Sequence, residues 1–162
     1  QVIDLNSRNN FTKVELVKGC SLIINLEMFK DKNIFDENFF FFFEEIDLCR
    51  RLKMASQNIY LFNKIKIIHD SGQGLDDQLQ SKYDDFRNWN FYWSRFYYYR
   101  KHYGYLISFI KHSSKLIRFS FNIFIFYFYS KNKFRKNKSR FLGLLYSMIG
   151  KESKFSDNIL NK

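Results

Sequence analysis

From Glu45 onward the apolar positions fall at helical spacing: Ile46, Cys49 and Leu52 stand at i, i+3 and i+6, with Arg50, Arg51 and Lys53 facing elsewhere. The pattern predicts a helix whose first turn carries Glu44, Glu45 and Asp47, where the helix dipole favours negative charge. Upstream, residues 1–13 are polar and read as loop. Val14 to Leu26 reads as strand, with Gly19 marking a bulge or a close backbone approach. Leu26 to Lys32 reads as a short helical turn, and Phe39–Phe43 is an apolar run too short for a helix of its own. Downstream, Asn58–Phe62 and Ile65–Ile68 read as two short strands around Asn63-Lys64, followed by a loop from His69 to Gly74. After Leu75 come aromatic-rich helices from Tyr83 to about Tyr103, then an apolar and basic stretch to Tyr129. A basic cluster, Lys131 to Arg140, a short apolar segment, Phe141 to Ile149, and a polar tail complete the chain, with no internal repeat.

At 162 residues the chain is one domain or a piece of one, long enough to bury a core. It starts at Gln1, which reads as a fragment or a processed product, and residues 1–18 hold no apolar stretch of the kind a signal peptide needs. Cys20 and Cys49 lie far apart without a partner motif; they read as small buried hydrophobes in a reducing compartment. No CxxC or HxxxH pattern argues for structural zinc. The 21 Phe, the 11 Tyr and the absence of Pro skew composition enough that position carries more weight than content. Charge is divided: residues 1–90 hold 12 Lys/Arg against 14 Asp/Glu, and residues 91–162 hold 15 against 2. The first part reads as an acidic-site domain and the second as a basic appendage.

Several segments occur together in an informative order: VKGCSLII at 17–24, FKDKNIFDENFFFFFEEIDLCRRL at 29–52, IYLF at 59–62 and IIHDSGQG at 67–74. Together they resemble the C-terminal half of the catalytic domain of family 2 glycosyltransferases, nearest the bacterial rhamnosyltransferase-like enzymes. That family shows a Gly-containing strand, an FDE-x-FF segment, an E-D-x-D-L-x-x-R motif, and a strand ending in His before a Gly-containing loop. RNWNFYWSRFYYYRKHYG at 87–104 resembles the region that follows the core in the same subgroup. The resemblance implies an α/β fold, the C-terminal part of a GT-A domain over residues 1–78. It is followed by aromatic, basic helices over 79–130 and a basic tail over 131–162. It also implies inverting transfer, in which a carboxylate takes the proton of the acceptor hydroxyl as that oxygen attacks the sugar and expels a nucleotide diphosphate.

Carried over residue by residue, the resemblance makes Glu45 the general base, with Glu44 as fallback and Asp47 orienting the acceptor or the helix. Gly19, Cys20 and Arg51 fall on the acceptor side. Asp47 and Arg51 are also spaced for a plain helical ion pair. His69 matches a histidine that contacts the divalent metal, Mg²⁺ or Mn²⁺, in some members; imidazole is a common metal ligand. The family's metal-binding Asp-x-Asp and its nucleotide-holding strands lie earlier in the fold, so this stretch alone is expected to be inactive. Ser56 stands where the family often has Gly, and Asn63 where it often has Pro.

The apolar core from Phe119 to Tyr129 is too short to span a bilayer. With Lys111, Lys115 and Arg118 on one side, Lys131 to Arg140 on the other, and Trp89, Trp93 and Tyr97–Tyr99 suited to headgroups, it reads as lying on an anionic membrane surface. A buried core helix or a merely solvated charge run are the plainer readings. The expected partners are a nucleotide-diphospho-sugar donor, a glycan or lipid-linked acceptor and an anionic membrane, at the cytoplasmic face of the plasma membrane. Nucleic acid is not expected, because no recognition module is visible. The alternative function is a non-catalytic basic, aromatic module that binds membranes or nucleic acid.

Overall fold

The computed structural model describes residues 10–29, 33–68 and 77–153. Among them are four α-helices and a two-stranded sheet, so the described chain is mostly helical. It divides into two compact units, Gln1–Asp36 with Glu44–Ser71, and Glu37–Phe43 with Gly72–Lys162.

In the first unit β1 (Phe11–Val14) and β2 (Ile59–Phe62) pair antiparallel, Phe11 opposite Phe62 and Val14 opposite Ile59. Asn63 closes the sheet's end: its N–H donates to the Asn10 carbonyl at 2.9 Å and its side-chain amide to Thr12 Oγ1 at 2.8 Å. The strand falls on Phe11–Val14, almost all of it in the stretch read as loop, and residues 15–25 of the expected Val14–Leu26 strand carry no regular structure. The reason is the partner. β2 begins directly after the turn that ends the preceding helix, so no further backbone is available for pairing, and Ile23 stands fully exposed. Ile65–Ile68, also expected as strand, is unpaired, with Ile65, Ile67 and Ile68 exposed. A single 3-10 turn, Leu26–Met28, forms where a helical turn is expected, with the Asn25 side chain accepting from the Glu27 N–H at 3.0 Å.

Helix α1 (Glu44–Met54) places its three acids in the first turn and Arg51 and Lys53 in the last, both complementary to the helix dipole. Its end is a Schellman turn: the Gln57 N–H donates to the Leu52 carbonyl at 2.9 Å and the Ser56 N–H to that of Lys53 at 3.1 Å, with Ser56 left-handed at φ 56°.

The second unit is built from α2 (Asp77–Tyr103), α3 (Tyr105–Tyr129) and α4 (Lys131–Met148). Gly104, at φ 88°, makes the break between α2 and α3. Ser130 separates α3 from α4, and its hydroxyl accepts from the Lys133 N–H at 3.4 Å as the cap of α4. Phe96, Leu144 and Met148 form the apolar centre, with Tyr92 and Leu116 packed on it. Trp89, Trp93 and Tyr98 are buried, and Trp93 Nε1 donates to the Lys151 carbonyl at 2.9 Å. They do not form the headgroup belt expected of them, because the largest rings of α2 supply its packing face. Residues read as a basic tail are instead one helix, α4, with Leu144 and Met148 in the core. It is tied to α2 by polar rungs: Arg135 to Asp85 at 2.6 Å, Ser139 to Asp85 at 2.9 Å and Arg140 to Asn88 at 2.8 Å.

The run Phe39–Phe43 lies along α2. Phe39 meets Tyr97 at 4.9 Å between centroids, Phe41 meets Phe86 at 5.3 Å and Phe42 meets Phe91 at 5.6 Å. Ser94 Oγ donates to the Phe41 carbonyl at 2.8 Å. Phe42 and Phe43 both hold positive φ, 66° and 73°, immediately before α1 begins.

Candidate active site

The first turn of α1 presents Glu44 and Glu45 side by side, and each keeps one carboxylate oxygen, Oε2, buried without a hydrogen-bond partner. Leaving such an atom unpaired costs about 1–3 kcal/mol. Burial raises the Glu44 carboxyl above its ordinary value; its own backbone N–H opposes the rise, and the Glu45 charge adds to it.

The glycine of the VKGCSLII segment lies against the second of these acids. A Cβ placed on Gly19 would fall 3.5 Å from Glu45 Cβ and 3.8 Å from its Cγ and Cδ. The structure therefore brings Gly19 and Glu45 together, and it leaves room for a methyl group in ordinary contact. Cys20, the next residue, is an exposed free thiol, whereas Cys49 is buried within α1.

Asp47 faces another way. It is fully buried, and Arg51 Nε donates to its Oδ2 at 2.8 Å, the helical ion pair that the spacing allows. The same guanidinium donates to the backbone carbonyls of Asn33, at 3.4 Å, and Ile34. Arg51 thus ties the start of the FDE segment to α1, and Asp47 orients Arg51. That leaves Glu44 and Glu45 as the acids of this turn with a buried, unpaired carboxylate oxygen.

His69 and the loop to Gly74 lie outside the described residues. Among the described residues no group of three or more His, Cys, Asp or Glu comes together as a donor set for a metal ion. The divalent metal implied by the resemblance finds no donor set among the described residues, which do not include His69.

The second unit holds a cleft of about 630 Å³ between α2 and α4, lined among others by Gln80, Asp84, Asp85, Lys133, Arg135 and Lys136. Its walls come from helices 50 residues apart in the chain, so no local pattern marks it. Its central charges satisfy each other through the Asp85–Arg135 pair and Ser139, which makes it a buttress between helices.

The geometry thus defines a class of site: paired, sheltered carboxylates at a helix N-terminus beside a glycine-bearing segment, held by an Asp–Arg brace. No family model matches the chain, and no curated protein or solved structure matches it either.

Proposed function

We propose that this chain is the acceptor side of an inverting, family 2-like glycosyltransferase, with Glu45 as general base. The observation that carries the reading is the pair of buried, unpartnered carboxylate oxygens on Glu44 and Glu45, with Gly19 against Glu45. An acceptor hydroxyl bound there gives its proton to the carboxylate as its oxygen bonds to the anomeric carbon and the bond to the nucleotide diphosphate breaks. Glu44, made more basic by burial, is the second candidate for that proton. Asp47 and Arg51 position the helix and do not touch the proton. His69 and a divalent metal would belong to the donor side.

The first unit supports a donor-binding half as neighbour. Among the described residues its sheet has two strands of four residues, fewer than an independently stable sheet needs, and the unit exposes Leu16, Ile23, Ile65, Ile67 and Ile68. Those side chains suit the surface that further strands would cover. The acceptor, a glycan or lipid-linked sugar, would place the protein peripherally at the cytoplasmic face of a membrane. No helix among the described residues is long and apolar enough to cross one.

Transfer from a nucleotide-diphospho-sugar by the enzyme carrying both halves is the test. Glu45→Gln is expected to lower turnover by about 10²–10⁴ with donor binding retained, the range for loss of a general base. Normal turnover in Glu45→Gln with loss in Glu44→Gln moves the role to Glu44, and tolerance of both replacements removes the enzymatic reading. The second reading, a binding module without catalysis, is favoured by the exposed outer face of α3.

A further inference from the structure

Helix α3 is apolar on two sides. Its inner side is anchored: Ser108, His112 and Phe119 are buried, Ser108 Oγ donates to the Phe96 carbonyl at 3.0 Å, and Phe119 meets Tyr92 at 4.9 Å. The outer side is not covered. Ile110, Ile117, Phe121, Phe124 and Phe128 recur at helical spacing on one stripe, and each is between 64 and 71 % exposed. A stripe of five large apolar side chains over nearly the whole length of a helix exceeds the scattered apolar exposure normal for a protein surface.

The charge beside that stripe has one sign. Lys111 and Arg118 each follow a stripe residue by one position, about 100° further round the helix, and so line a single shoulder of it. Lys115 lies deeper on the same shoulder, and Arg95 reaches it from α2. Burial holds the Lys115 ammonium below its ordinary value, and the positive charges of Arg95, Arg118 and Lys111 push it further down. Carboxylates are absent from this stretch of sequence: from residue 86 to residue 151 there are 14 Lys/Arg, of which Arg135 pairs with Asp85, and no Asp or Glu. A crowd of cations without carboxylates calls for anions from outside, and an adjacent apolar stripe calls for an apolar medium. An anionic bilayer supplies both within a few ångströms of depth.

We infer that α3 lies flat in the headgroup layer of an anionic membrane, its outer stripe in the acyl boundary and the Arg95–Lys111–Lys115–Arg118 shoulder on lipid phosphates. The docking element is the outer stripe of α3 from Ile110 to Phe128, which begins before the Phe119–Tyr129 stretch and excludes the buried Phe119. Lys131 to Arg140, expected to share the task, belong to a helix whose Arg135 and Arg140 are engaged with α2. The inference deepens the peripheral placement proposed for the transferase, yet it stands on this surface alone and needs no transfer chemistry.

The test is co-sedimentation of the 162-residue chain, at low salt, with vesicles of phosphatidylcholine plus phosphatidylglycerol and with phosphatidylcholine alone. The chain is expected to pellet with the anionic vesicles at least tenfold more strongly than with the neutral ones. Phe121→Ser/Phe124→Ser and Lys111→Gln/Arg118→Gln, all at exposed positions, should each lower that binding at least tenfold with helix content unchanged. Absence of binding to anionic vesicles overturns the inference, as does binding that either pair of substitutions leaves intact. An oligomer that Phe121→Ser/Phe124→Ser converts to monomer, without vesicle binding, overturns it too and assigns the stripe to a second copy of the chain. Glu45→Gln should bind vesicles as the parent does, so loss of transfer and loss of docking are read separately.

Discussion

Ser56 occupies the left-handed position after α1, a conformation that costs an L-residue about 1 kcal/mol and glycine almost nothing. Its hydrogen bonds are made by backbone groups that Gly would retain. Ser56→Gly is therefore expected to stabilise the first unit by about 0.5–1 kcal/mol, read as a higher midpoint in urea. A lower midpoint would mean that the hydroxyl contributes more than the strain removes. The left-handed φ is what makes glycine the better residue at this position, and the helical period of α1 marks only that a helix ends nearby. The Asp47–Arg51 pair was legible, because i, i+4 spacing is enough to define it. The two left-handed phenylalanines were not. A run of five Phe announces burial, but nothing in it encodes the sign of φ at Phe42 and Phe43. Each such residue costs on the order of 1–3 kcal/mol, and ring contacts along α2 hold it in place. Nor did Glu44 and Glu45 announce their unpaired oxygens, since a missing partner is a property of the folded surroundings.

Between elements, the closest approach is where α4 crosses α2. A Cβ on Gly143 would sit 2.2 Å from the Trp89 carbonyl oxygen, which is backbone and cannot swing aside. Gly143→Ala must push the helices apart and is expected to cost about 2–3 kcal/mol or more, measured as a fall in thermal midpoint with Trp93 fluorescence shifted towards that of a wetter ring. Unchanged stability would show that the crossing is looser than its geometry. The glycine carries no sequence signal, because it sits inside a helical pattern without a turn. Helix α1 and strand β2 were legible, since amphipathic period and a bounded apolar run suffice. The strand expected from Val14 to Leu26 failed because a strand needs a partner, and β2 offers four residues. The division at Ser130 was obscured by charge: Lys131 to Arg140 looks like a solvated run, yet Asn137 and Ser139 turn inward and the arginines pair with α2.

Across the whole molecule the uneven charge has a consequence for acid stability, concentrated in the second unit at His112. This side chain is fully buried between α2 and α3, edge-on to Phe96 and Tyr99. Its Nδ1–H donates to the Ser108 carbonyl at 2.8 Å, which leaves Nε2 buried and without a partner. Burial lowers its pKa to about 4, with the Ser108 bond opposing and the charges of Arg95, Lys115 and Lys111 assisting. The folded state therefore refuses a proton that the unfolded chain accepts from about pH 6.5 downward. Stability is full above pH 6.5 and falls as the pH drops to 4, by about 3 kcal/mol from this residue. Glu44 acts in the opposite sense: its raised pKa contributes stability at acid pH that is lost as the pH rises through that value. Carboxylates elsewhere add acid lability of their own, so the decisive comparison is between parent and His112→Leu, followed by circular dichroism melts from pH 7 to pH 4. The variant keeps an apolar side chain beside Phe96 and Tyr99 and has no proton to refuse. Its melting temperature should fall less over that interval, by roughly 10 °C for a chain of this size. Parallel curves would mean that water reaches Nε2 and lets it ionise in the folded state. The same cations that repel a proton from His112 are those assigned to the lipid phosphates. Anionic vesicles should therefore ease its protonation, flattening the acid limb of the parent and leaving that of His112→Leu unchanged.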